Sequence, residues 1–457
     1  MQESRLDEYI RRKQCRVQEE SSIETRSFTD VCEKIKTAFF DDWQNQDNSS
    51  VSLEIQRRAI IGYEKEKDFF KNRIYELLKD FGDVATSFPS YYENLVDAIY
   101  HELWGLAGMA EWFSDEYKES SSAKIIGENI FFMQNGKMHL MPQKISSERK
   151  AQLIKAIMLA TPEERMDKDY YEMYMLDGTR VTVFTEPMAK KNQASVVFRR
   201  YIIPSLSFEE QARRGTIPEA IIPMLKAMVL VGYNVIFMGA VRTAKTTFLS
   251  TWQSYEDPSL EGVMVETDPE IPLHKILPNS PIIQLIADGE NLSSISKNLM
   301  RSDADYLIMA EARDGIALDT AMRIANKGTK RMKLTVHSRN PYQLPIEAAI
   351  EISNSVGGNV DMIMNKFANS FDYVFYFIQL KDKNQKRLKG IYEMGIDGRG
   401  KIKMNEILSY DPVNDNWTVI SKNISDDKKM YGLESDEAAF KTFRKELRKL
   451  SELGVLN

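Results

Sequence analysis

Cysteine, histidine and long apolar runs are all scarce in this 457-residue sequence. Two cysteines, Cys15 and Cys32, supply neither a disulfide framework nor a cysteine-rich zinc site, and a reducing compartment fits. The opening residues, MQESRLDEYIRRK, contain no apolar signal core, so a cytoplasmic location is expected. The most apolar window, Ile221 to Val241, is interrupted by Pro223, Lys226, Gly232 and Asn234. It reads as helix, turn and strand rather than a membrane span, so any membrane contact is expected through partners. An excess of positive charge is missing too: the net charge of −6 argues against a broad nucleic-acid surface. No internal repeat or low-complexity tract is evident. The length allows about two to four domains.

What is there changes character along the chain. Residues 1–88 are polar and rich in helix formers, with Phe70, Ile74, Leu77, Leu78 and Phe81 at helical spacing and a loop at Asp47–Ser50. Residues 89–195 read as an α+β domain. Tyr91 to Trp112 is helical, and strand-like runs follow at Lys124–Ile126, Ile130–Phe132 and His139–Met141. Asn135-Gly136 marks a hairpin, Ser147 to Ala160 a helix, and Asp177-Gly178 a second turn between strands. Lys190 to Pro204 looks like a crossing between domains. Ser207-x-x-Glu210 and Thr216-x-x-Glu219 have the form of capping boxes, and Gly232 of a helix stop. Strand candidates at Asn234–Met238, Val263–Val265, Ile282–Leu285, Tyr306–Met309 and Leu334–Val336 then alternate with helical stretches. That alternation predicts an α/β fold with a parallel central sheet over 205–410. Phe371–Gln379 and Arg387–Glu393 read as further strands. A segment at 411–457 ends in a helix with Phe440, Phe443, Leu447 and Leu450 on one face.

Four stretches of the α/β part carry chemistry. Gly239, Ala240, Val241, Arg242, Thr243, Ala244, Lys245, Thr246 and Thr247 follow a strand and precede a helix, close to the phosphate-loop pattern G-x-x-x-x-G-K-[ST]. Backbone N–H groups and the helix N-terminus would hold phosphates, Lys245 would reach the β/γ-phosphates, and the Thr246 hydroxyl would hold Mg²⁺. Thr247 would donate to a phosphate oxygen, and Arg242 has a charge that can pair with one. Asp305 to Glu311 is an apolar strand ending in a carboxylate suited to Mg²⁺ through a water or to orienting water. Glu266, Asp268 and Glu270 follow another strand, with a turn at Pro269 that could aim Glu270 inward. His337 follows a fourth. In a parallel sheet all four stretches share the carboxyl edge, where ligands bind.

In this order the stretches resemble the type II/IV secretion ATPase superfamily, in its tight-adherence pilus, CpaF-like branch, with conjugation ATPases as relatives. Gly239–Thr247 matches its phosphate loop, Glu266–Glu270 its acidic box, Asp305–Glu311 its Walker B strand and Gly328–His337 its histidine box. The run E-A-R-D-G-I-A-L-D at Glu311–Asp319 is similar to a further family motif. Upstream, D-G-T-R-V at Asp177–Val181, F-R-R-Y at Phe198–Tyr201 and W-G-L-A-G-M-A-E-W at Trp104–Trp112 look like family pieces. The resemblance spans roughly 89–410. It implies a RecA-like P-loop ATPase domain preceded by a smaller α+β domain. It also implies a homo-hexamer that uses ATP and Mg²⁺ beside inner-membrane platform proteins. It makes Glu270 the general base, Glu311 the Walker B carboxylate, His337 a γ-phosphate sensor, and Arg180, Arg199 and Arg200 candidate arginine fingers.

The sequence also departs from the family. Ala244 replaces the second glycine, the loop interior is bulky, Thr267 replaces an aspartate, and Thr329 and Arg331 replace histidine and glycine. All of these departures are expected to lie at the nucleotide site. Three functions therefore stand open: a motor ATPase driving pilus assembly or substrate translocation, a weakly hydrolysing or non-hydrolysing homologue with a structural or regulatory role, and a nucleic-acid motor, which the acidic balance and the lack of an evident aromatic-basic groove count against.

Overall fold

The computed structural model describes residues 27–44, 49–81, 86–158, 170–200, 207–267, 270–299, 301 and 304–456. Cys15, Asp47-Asn48 of the expected loop, Leu159-Ala160 of the expected helix, Tyr201–Pro204 of the expected crossing, and Asp268-Pro269 lie outside them. The chain forms two compact units, 1–202 and 203–457.

In the first unit, helices Phe28–Gln44, Glu64–Asp80 and Leu95–Leu103 gather on an aromatic cluster. Phe39 and Phe70 pack on Trp104 at 4.4 and 5.3 Å between ring centres. The periodicity read from Phe70, Ile74 and Leu77 is this buried face. A six-stranded antiparallel sheet follows, in the order β3-β2-β1-β6-β5-β4. Its strands are β1 Ser122–Ile126, β2 Asn129–Gln134, β3 Lys137–Lys144, β4 Tyr170–Tyr174, β5 Arg180–Phe184 and β6 Ser195–Arg199. Alternate residues (Ala123, Ile125, Val181, Val183, Val196, Phe198) enter the core against helix Ser147–Met158. The Asn135-Gly136 turn has both residues at positive φ, 48° and 73°, the geometry a tight hairpin requires.

The second unit is built on a ten-stranded sheet, β16-β15-β14-β13-β12-β7-β11-β10-β8-β9. Its members in chain order are β7 Val235–Gly239, β8 Gly262–Glu266, β9 Ile282–Ile286, β10 Tyr306–Ala312, β11 Lys333–Val336, β12 Tyr373–Gln379, β13 Lys386–Ile396, β14 Ile402–Asp411, β15 Asn416–Val419 and β16 Val455–Leu456. From β12 through β9 the pairings are parallel, and from β13 outward antiparallel. β7 sends Val235 and Phe237 into one core and Ile236 and Met238 into the other, so a continuous apolar run is needed. Chain order 7-8-10-11-12 becomes spatial order 12-7-11-10-8. One strand, β11, separates the loop-bearing β7 from the carboxylate-bearing β10. This is the RecA-like P-loop arrangement, with β7 set between β12 and β11.

Two expectations fare differently at helix starts. Ser207 caps its helix, its Oγ accepting the Glu210 N–H at 3.1 Å. The Thr216-x-x-Glu219 box does not form: Pro218 opens a short 3₁₀ turn without a side-chain cap, the Thr216 N–H that Glu219 would reach is given to the Gln211 carbonyl at 2.8 Å, and the Thr216 carbonyl is taken by the Leu388 N–H at 2.7 Å. Gly232 ends helix Ile222–Val231 in the left-handed region, as its position suggests. Residues 411–457 belong to the second unit. β15 and β16 extend its sheet, and helix Glu437–Leu453 buries Phe440, Phe443, Leu447 and Leu450 in the core that also holds Met228.

Candidate active site

The loop begins where β7 ends. A Cβ on Gly239 would stand 2.3 Å from the Phe377 carbonyl of neighbouring β12, so glycine is required there. Arg242 (φ 66°) and Ala244 (φ 71°) both adopt the left-handed region. The turn that glycine usually makes at position 244 is thus made by alanine, at about 1–2 kcal/mol for each side-chain-bearing residue so placed. Local bonds hold the curl. Thr243, 1% exposed, donates its hydroxyl to the Ala240 carbonyl at 2.9 Å, and the Phe248 N–H reaches back to the Ala244 carbonyl at 2.9 Å. Helix Lys245–Gln253 starts immediately. The N–H groups of its first turn, from Lys245, Thr246 and Thr247, have no acceptor within the helix and suit an anion.

Lys245 lies inside the curl, 6% exposed. Its Nζ donates to the Ala240 carbonyl at 2.9 Å and meets His337 Nδ1 at 3.3 Å. His337 Nε2 in turn meets Glu311 Oε1 at 2.8 Å, and Arg313 donates to Glu311 Oε2 at 2.7 Å. With the ammonium donating to Nδ1, the imidazole proton sits on Nε2 and points at the carboxylate. Lys245, His337 and Glu311 so form one chain from β7 through β11 to β10. Burial pushes the Lys245 pKa down to about 8, opposed by the charges of Glu311 and Glu270. Burial works to raise the Glu311 pKa, but the bonds from His337 and Arg313 prevail and hold it at about 2. The β10–β11 register shifts between Met309 and Ala312, which re-aims the strand end carrying Glu311.

Glu266 closes β8. It is 4% exposed, and its Oε1 accepts the N–H groups of Glu270 (3.2 Å) and Ile271 (2.9 Å). Its observed work is to shape the segment that carries half-buried Glu270, whose charge reaches Lys245.

The three arginines of the first unit differ. Arg180 donates to both oxygens of Glu172, at 2.6 and 2.7 Å. Arg199 is its cross-strand partner and is exposed. Arg200 donates to the carbonyls of Trp112, Tyr117 and Ser120 and lies 4.1 Å over the Trp112 ring. It clasps the W-G-L-A-G-M-A-E-W segment to β6, which commits its guanidinium inside its own unit.

Two of the departures are not at this edge. Thr329 and Arg331 precede β11, at the amino end of the sheet. Arg331 caps the carbonyls of Val229 (3.0 Å) and Leu230 (2.8 Å) and pairs with buried Glu256. Arg313, not among the residues expected at the site, stands two residues after Glu311. That spacing keeps both on one face of an extended strand and could have revealed the pair.

No family model and no curated protein matches the chain. Among solved structures it is similar to the VirB11 ATPase of the Brucella suis type IV secretion system in complex with sulphate, at 14% identity and TM-score 0.33, over 62% of this chain and 92% of that one. It is also similar to the ATPase DotB of Yersinia pseudotuberculosis, at 15% identity and TM-score 0.46, over 81% and 89%. A third is the pilus retraction motor PilT with bound ADP, at 13% identity and TM-score 0.43, over 74% and 91%.

Proposed function

We propose that the chain binds ATP with Mg²⁺ at the β7 loop and hydrolyses it, as a subunit of a homo-hexameric ring on the cytoplasmic side of a membrane. The ring would drive pilus assembly or substrate translocation with inner-membrane platform proteins of a secretion, pilus or conjugation machine. The observation that carries the ATPase reading is the Lys245–His337–Glu311 chain lying directly behind a curled loop at the carboxyl edge. The machine is read from the ordered motifs.

In this reading, residues 239–247 wrap the phosphates with backbone N–H groups. Lys245 exchanges its bond to the Ala240 carbonyl for phosphate oxygens. His337 stays tied to Glu311 through Nε2, and its Nδ1, freed from Lys245, donates to a γ-phosphate oxygen once it carries a proton. Glu270, positioned by Glu266, takes the proton of the attacking water. Thr246 and, through water, Glu311 are oxygen donors of the kind Mg²⁺ takes and would hold it. Held there, the ion would supply positive charge to offset that of the phosphates. Arg199, with Arg180 once it leaves Glu172, neutralises the transferring phosphoryl group from a neighbouring subunit. Arg200 does not take part.

A second reading, a subunit that binds nucleotide without turning it over, is favoured by one observation: both Glu311 oxygens are engaged, by His337 and Arg313. Mg²⁺-dependent phosphate release by the assembled protein separates the two. Turnover that falls at least about 100-fold in Glu270→Gln supports the motor. Tight ATP binding with no phosphate release in any assembled state supports the second reading and removes the first.

A further inference from the structure

Three segments meet on the outer side of the phosphate loop. β12 pairs with β7 as far as Phe377 opposite Gly239, so the β12–β13 turn at 380–385 stands beside the loop. Gln379 Nε2 joins the two, reaching the Arg242 carbonyl at 3.5 Å and the Lys383 carbonyl at 2.8 Å. Lys386 Nζ donates to that same Lys383 carbonyl. The turn after helix Phe208–Arg213 closes the other flank: Leu388 bonds the Thr216 carbonyl, and Gly215 lies against the Arg387 guanidinium.

The backbone contacts set Arg242, Lys383 and Lys386 on adjoining segments, and the charges of Arg242 and Arg214 reach Lys386. Half-buried Lys386 has its pKa lowered first by burial and then by the charges of Arg242 and Arg214, with Asp382 opposing. The acids on this side are Asp382 beside the turn, Glu210, which pairs with Arg213 and Arg214, and Asp415, which pairs with Arg387. In a chain of net charge −6 these cations make a local inversion of sign. Cations collected this closely repel one another unless an anion offsets them.

We propose that Arg242, Lys383, Lys386 and Arg214 form a cationic collar that captures a polyphosphate chain before it seats in the loop. The proposal rests on the reading of the loop as a phosphate site. A seated triphosphate is held by the loop N–H groups and Lys245, so the collar acts mainly on arrival. A few like charges at the mouth of a cleft raise the local concentration of a counter-ion and its association rate, and salt suppresses the effect.

The test uses the full chain and the double variant Lys383→Glu/Lys386→Gln, with a fluorescent ATP analogue and Mg²⁺ followed by stopped flow at low and high salt. Expected at low salt is an association rate lower by about tenfold, with dissociation changed by less than about twofold. The difference should vanish at high salt. An unchanged thermal midpoint checks folding, and Lys383→Arg/Lys386→Arg should restore the fast association. Unchanged association and salt slope in the charge-removing variant overturn the collar and leave the nucleotide reading standing. Inorganic tripolyphosphate separates the converse case. If the wild type ignores the analogue but binds tripolyphosphate, and the variant binds it more weakly, the collar stands and the nucleotide reading falls. Binding of neither probe to the wild type removes both.

Discussion

Replacing Ala244 by glycine removes a Cβ from a residue held at φ 71°. Relief of left-handed strain outweighs the extra freedom of glycine in the unfolded chain, so stability should rise by about 1 kcal/mol, read by denaturant unfolding. Lys245 gives a pH signature with two parts. Its folded-state pKa is about 8 against an ordinary 10.5, so the unfolded chain binds more protons between those values. Its contribution to stability therefore becomes more favourable as pH rises through that window. Nucleotide affinity runs the other way, because phosphate needs the ammonium, and should fall as pH rises above about 8. Lys245→Met should lack both trends, and their persistence in that variant would assign them elsewhere. At this scale the residue types were legible in the sequence: Lys245, Glu311 and His337 stand at strand ends. Their linkage was not, because it depends on which strands lie side by side and on a register shift in β10. Arg200 was illegible for a related reason, since the carbonyls it clasps lie 80 to 88 residues upstream.

The element that sets the acidic side of the site is the turn after β8, and Glu266 organises it from within. Glu266→Ala leaves the Glu270 and Ile271 N–H groups without their observed acceptor, at about 1–3 kcal/mol each where buried. Turnover should fall by about 10–100-fold through misplacement of Glu270. Nucleotide affinity should stay within a few-fold, as the loop itself is untouched. A loss of affinity equal to the loss of turnover would make Glu266 a nucleotide ligand instead. Elements governed by local chemistry were the readable ones: the Asn135-Gly136 hairpin, the Ser207 cap and the Gly232 stop. The Thr216 box had the right letters, but the Thr216 N–H closes the preceding helix on the Gln211 carbonyl, and Leu388 of β13, far along the chain, claims the Thr216 carbonyl. Such competition between local caps and distant strands leaves no trace in a short window.

For the whole molecule, the alternation of strands and helices made the parallel sheet foreseeable. The antiparallel half, β13 to β16, was foreseen only at β13, because its partners are fixed by packing rather than by periodicity. The terminal helix was visible as an amphipathic face, but its docking on Ile222–Val231 follows from the tertiary core. The fold also redistributes the departures from the family pattern. Ala244 and Thr267 stay at the carboxyl edge, whereas Thr329 and Arg331 sit at the amino edge, where Arg331 and Glu256 brace a helix end. The site is therefore less altered than its sequence suggests, and the loop keeps its curl despite two residues with a Cβ at positive φ. Whether that curl takes a triphosphate is tested most directly by titration calorimetry of the full chain with ATP and Mg²⁺, beside Lys245→Ala. Expected is saturable binding by the wild type that weakens at least about 100-fold in the variant, the loss of a buried charge-assisted contact. Equal heats from both proteins, or none from the wild type, would contradict a working phosphate site at this loop.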